Sequence, residues 1–100
     1  MRIHFERTGG FFGMRLSATV DTNTLAPEEA HTLNEKISAA NFFELPSKLK
    51  ASGRAADQFR YRVTVEEGLR QHTVETSEVA APEPLRDLLQ QLTTLARTRR

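Results

Sequence analysis

The stretch Phe59-Arg60-Tyr61-Arg62-Val63-Thr64-Val65 decides the fold class. Large apolar residues stand at every second position, with polar residues between them. That period belongs to a strand with one face covered and one face wet. Glu66-Glu67-Gly68-Leu69-Arg70 then turns the chain, and Gln71 to Thr76 resumes as a second strand with Val74 inward. Two alternating runs joined by a short glycine-bearing turn form a hairpin.

Toward the N-terminus the same pattern returns. Ile3 and Phe5 point one way, while Arg2, His4 and Glu6 point the other. Thr8-Gly9-Gly10-Phe11-Phe12-Gly13 follows, and its glycines mark a turn. Met14, Leu16, Ala18 and Val20 then alternate with Arg15, Ser17 and Thr19, so these residues make another hairpin.

Between the hairpins the period changes. A helix is expected from about Pro27, with Glu28 and Glu29 in its first turn, where carboxylates suit the helix dipole. Ala30, Leu33, Ile37 and Ala40 supply its apolar stripe. Asn41 is the expected stop, because asparagine tolerates the left-handed conformation. Phe42, Phe43 and Leu45 anchor the exit. Residues 46–57 have no period and read as an exposed loop. After a further loop, Ser77 to Pro82, a last helix starts near Pro82 or Pro84, with Leu85, Leu88, Leu89, Leu92 and Leu95 on one face.

The order is ββαββα. It predicts an α+β domain: a four-stranded antiparallel sheet with two main helices, and at most a third short one, on one face. The other face is expected to carry Arg2, His4, Glu6, Arg15, Ser17, Thr19, Arg60, Arg62, Thr73 and Glu75. If every element spans the domain once, the first helix climbs from one end of the sheet to the other. The connections at 9–13, 46–57 and 77–82 then share one end. Loops on a rigid scaffold often carry recognition.

Composition narrows the function. One hundred residues allow one domain, and the 38% apolar and 27% charged content is that of a globular chain. With no cysteine there is neither a disulfide nor a thiolate metal site. No apolar run is long enough to span a bilayer. The charged start, Met-Arg-Ile-His-Phe-Glu-Arg, does not suit a signal peptide, so a cytoplasmic location is expected. A net charge of +1 is too small for binding driven by phosphate neutralisation. Arg97, Arg99 and Arg100 read as a solvated end. The wet sheet face has no aromatic residue on which a base could stack. Nucleic-acid and membrane partners are therefore not expected.

Signals for catalysis are weak. His31 and Glu35 are four apart on one helix, the spacing of a surface ion pair. His4 should face solvent, and His72 shares the inward parity of Val74. Nothing brings the histidines together, so no metal and no cofactor is expected. There is no serine elbow and no phosphate loop. The unusual features are apolar residues in loops. Gly9, Gly10, Phe11, Phe12 and Gly13 put two rings among glycines; one ring can fold over the core edge while the other projects into a partner's pocket. In Lys48, Leu49, Lys50, Ala51, Ser52 and Gly53 a single leucine sits in a substrate-like segment.

Laid out in this order, the chain resembles the emfourin family, bacterial protein inhibitors associated with protealysin, a thermolysin-like metalloprotease. The stretches that carry the resemblance are Met1 to Phe11, Leu25 to Ala30, Phe42 to Pro46, Asp57 to Glu66, His72 to Glu75, and Ala81 to Leu85 with the leucine-rich helix. The resemblance implies a single inhibitor domain over residues 1–100, monomeric when free, and not an enzyme. Its implied partner is a thermolysin-like metalloprotease of the protealysin type. Contact would fall to the loop residues Gly9–Gly13 and Lys48–Gly53, with Phe11 or Phe12 as the pocket ring and Leu49 as the runner-up. Two other readings remain open: a bacterial interaction module that does not inhibit, and, ranked last, a small hydrolase or lyase using His4 or His72.

Overall fold

A computed structural model describes residues 1–9, 15–49 and 59–98. Four strands form one antiparallel sheet: β1 (Arg2–Gly9), β2 (Leu16–Asp21), β3 (Phe59–Glu67) and β4 (Arg70–Ser77), in the spatial order β2-β1-β3-β4. Two helices complete the fold, α1 (Pro27–Ala39) and α2 (Glu83–Thr98). Short 3₁₀ turns sit at Thr22–Thr24 and Phe42–Glu44. The expected α+β class, strand number and ββαββα order are all present.

The alternating residues meet across the sheet in register. Ile3 lies opposite Val20 on one side and Val65 on the other, and Val63 lies opposite Phe5 and Val74. These side chains form one buried cluster with Leu33, Ile37 and Phe42, and with Leu85, Leu88, Leu89, Leu92 and Leu95 of α2. Each fully buried leucine contributes on the order of 1.5–3 kcal/mol by leaving water. β1 and β3 run on to Gly9 and begin at Phe59, so the predicted turn at Thr8 starts later than the glycines suggested.

Local chemistry sets the ends. The β3–β4 turn has Gly68 at φ +59, while Leu69 is not in the left-handed region. This is the type II′ pattern, whose twist matches a hairpin. Helix α1 starts on Pro27 with Glu28 and Glu29 in its first turn. Ala40 closes it by donating to the Lys36 carbonyl at 3.0 Å, and Asn41 follows at φ +50.

One expectation fails. Helix α1 does not climb the sheet. It starts beyond Asp21, which pairs with Arg2, and ends at Phe42, which packs edge-on against His72. Both points belong to the same half of the sheet, the end with the Gly68-Leu69 turn. At 13 residues α1 is about 20 Å long, enough to cross three strand gaps of ~4.8 Å, so it runs from the β2 edge to the β4 edge. The climb is made instead by residues 47–49, on the outside of β4. Leu49 N–H donates to the Glu75 carbonyl and Glu75 N–H to the Ser47 carbonyl, each at 2.8 Å. Lys48 and Glu75 thus form a parallel bridge, and the start of the expected exposed loop is a docked edge segment.

Candidate functional site

Three connections leave the sheet at the end away from the Gly68-Leu69 turn. β1 ends there at Gly9, which lies opposite Phe59, the first residue of β3. Ser77, the last residue of β4, lies opposite Arg60. The chain beyond β4 is tied down at once. Glu78 N–H donates to the Phe59 carbonyl at 3.4 Å, Ala80 N–H to Ser77 Oγ at 3.2 Å, and Ala81 N–H to the Ser77 carbonyl at 3.0 Å. The roots of all three loops therefore stand side by side on adjacent strands.

Of the predicted contact residues, Gly9, Lys48 and Leu49 are placed. Gly10, Phe11, Phe12 and Gly13, and likewise Lys50, Ala51, Ser52 and Gly53, lie outside the described residues. Gly9 has φ +94, a conformation that a side chain would strain, at the point where the first loop leaves the ladder. Lys48 is exposed. Leu49 is not the free-standing leucine that the sequence suggested. It is half-buried and leans on the core cluster, because the backbone bonds of residues 47–49 to β4 hold it there.

Below the roots is a group of residues that sequence reasoning did not assemble. Arg7 shares the inward parity of Ile3 and Phe5, yet it stands at the sheet end. Its guanidinium lies 4.1 Å from the centre of the Phe59 ring. Tyr61 is half-buried beside Phe5, with ring centres 6.0 Å apart. Burial pushes the Tyr61 hydroxyl above the usual tyrosine range, and the Glu78 carboxylate adds to this. Arg7, which hydrogen-bonds it, pulls the other way. Val79, at the head of the third loop, is 60% exposed. The end is thus a small aromatic and cationic platform framed by loop roots. The parity of Arg7 was the available signal.

The histidines go to three separate places. His31 pairs with Glu35 at 2.7 Å on the exposed side of α1. His72 donates from Nε2 to the Leu45 carbonyl at 2.7 Å, so its role is to pin the exit of α1. His4 stands on the open face between Glu66, 2.5 Å from Nε2, and Thr19, 3.2 Å from Nδ1. A carboxylate only accepts, so Nε2 carries the hydrogen. His4, Glu6, Ser17, Thr19, Arg62 and Thr64 line a shallow trough there. The His4 side chain is 44% exposed, so the trough is open to water. Among the described residues no three His, Cys, Asp or Glu side chains converge as metal ligands.

No curated protein matches the chain. Among solved structures it is similar to "Emfourin (M4in) from Serratia proteamaculans, M4 family peptidase inhibitor", at 23% identity and a TM-score of 0.47, covering 90% of this chain and 86% of that one. The family model described as Emfourin matches residues 5–93, from the middle of β1 to the last turns of α2. The chain belongs to the emfourin family.

Proposed function

We propose that the protein is a non-catalytic inhibitor of thermolysin-like zinc metalloproteases, of the protealysin type, and that the loop-bearing end of the sheet is the surface that enters their cleft. The observation that carries this reading is the convergence of the three loop roots at one end of a chain that belongs to the emfourin family. An inhibitor of this kind performs no chemistry. It fills the pocket that takes a bulky apolar side chain and holds its own backbone where attack is unproductive. A sheet that pins every loop root keeps down the entropy lost on docking.

Phe11 or Phe12 supplies the pocket ring. Leu49, half-buried against the core at the root of the second loop, is the runner-up. Arg7, Phe59 and Tyr61 lie beside the roots of these loops.

Titration of thermolysin with the purified chain, read with a fluorogenic peptide, tests the proposal. Activity should fall to near zero at about one inhibitor per enzyme when the enzyme concentration exceeds the dissociation constant. Full activity under a large excess of the chain overturns it, and a stable complex that remains active would assign a binding role without inhibition.

A further inference from the structure

The two edges of the sheet are finished differently. The β4 edge is covered by residues 47–49. The β2 edge is not. Its backbone directions follow from one hydrogen bond. Thr22 N–H donates to the Met1 carbonyl at 2.9 Å, and Met1 faces Thr22 in the register that pairs Arg2 with Asp21. Hydrogen-bonded pairs recur at every second residue of an antiparallel ladder. The peptide groups of Leu16, Ala18 and Val20 therefore face β1, and those of Ser17, Thr19 and Asp21 face outward. The Asp21 carbonyl accepts from Thr24 Oγ1 at 2.8 Å. Among the described residues nothing bonds the outward groups of Ser17 and Thr19. β2 also lacks the usual guards of an edge, since it has no lysine, no proline and no break in register.

What fits this edge is written in its own side chains. Arg15-Leu16-Ser17-Ala18-Thr19-Val20-Asp21 reads as a chemical palindrome about Ala18. Hydroxyls flank the centre, branched apolar residues stand next, and opposite charges close the two ends. We propose that β2 pairs antiparallel with β2 of a second copy of this chain, with the twofold axis at Ala18. Ser17 then lies opposite the second copy's Thr19, and these outward residues exchange N–H···O=C bonds. Leu16 lies opposite the second copy's Val20 on the helix face. Arg15 lies opposite the second copy's Asp21 on the open face, twice by symmetry. Such a contact is isologous and closes on itself. It makes one continuous eight-stranded sheet with both helix layers on one side. Its axis is perpendicular to the sheet, so the two loop-bearing ends point to opposite poles and remain free. The inference does not rest on the inhibitor reading.

Sedimentation equilibrium of the full chain from about 1 µM to about 1 mM should show a monomer–dimer equilibrium. Arg15→Asp or Asp21→Arg alone sets like charges opposite each other and should weaken the dimer at least about tenfold. The double swap, Arg15→Asp with Asp21→Arg, should restore it to within about threefold. Ser17→Pro removes an outward N–H while leaving the bonds to β1, and should abolish dimers. Circular dichroism establishes that each variant is folded, and if Ser17→Pro is not, the charge swap decides. In the parent protein the Ser17 and Thr19 amides should gain hydrogen-exchange protection as concentration rises. A monomer throughout the range overturns the proposal. So does a dimer that survives both single charge variants or Ser17→Pro.

Discussion

The two ends of the sheet are built from similar residues to opposite effect. At the end with the Gly68-Leu69 turn, aromatic residues are locked in. Phe42 is buried and packs against Phe43 and His72, Arg70 lies over Phe43 at 4.1 Å, and His72 holds the Leu45 carbonyl. At the loop-bearing end, Phe59 and Tyr61 stay half-buried under Arg7. Among the described residues, the difference is how much packed chain covers the rings. Helix α1 crosses beneath the first end, whereas at the second the Arg7 guanidinium lies over the Phe59 ring. The first end should therefore carry stability, and the second recognition.

The sharpest way to break that comparison is Phe42→Ala. It should cost about 3–5 kcal/mol in urea unfolding, a large share of what a domain this small possesses. A cost below about 1 kcal/mol would show that the turn end is not the stabilising one. Next in size, Phe11→Ala with Phe12→Ala should weaken inhibition of thermolysin about a hundredfold, near 2.7 kcal/mol, while the unfolding free energy stays within about 1 kcal/mol of the parent. Equal inhibition by variant and parent would remove those rings from the contact. His72→Ala should cost about 1–3 kcal/mol, because the Leu45 carbonyl loses its donor, and should leave inhibition unchanged.

Two smaller effects sharpen the contrast. The Tyr61 hydroxyl is raised by burial and by Glu78, so the unfolded chain loses that proton first. Stability from this group is present below the ordinary tyrosine value of about 10 and is lost as pH rises through it toward the folded value. Tyr61→Phe should flatten that alkaline slope in thermal unfolding. Leu69 is wholly exposed at the turn tip. Leu69→Ser should change stability by less than about 0.5 kcal/mol and inhibition not at all. A measurable loss of inhibition would move the contact to the wrong end.

Much of the turn end was legible beforehand. Pro27, the two glutamates and Asn41 marked both ends of α1, and His72 was given its inward side by parity with Val74. Its partner, the Leu45 carbonyl, was not legible, because it lies 27 residues away. At the loop-bearing end the proposed contact segments stand out in the sequence by their glycines and apolar residues. The docking of residues 47–49 was not foreseen, since a segment that pairs through backbone alone shows no side-chain period. Arg7 escaped for a related reason: its parity was inward, but only the place where the helices stop covering the sheet makes an inward arginine tolerable.

Period two and period 3.6, with proline, asparagine and glycine as punctuation, determined by themselves which residues form strands and helices and which face each one buries. These are local properties, set within a few residues of chain. The order β2-β1-β3-β4, the transverse path of α1, the covered β4 edge and, among the described residues, the uncovered β2 edge were decided only by the tertiary structure. Each depends on which distant backbone N–H meets which carbonyl. Peptide groups are chemically alike along the chain, so the pairing is chosen by how all the buried faces fit together at once.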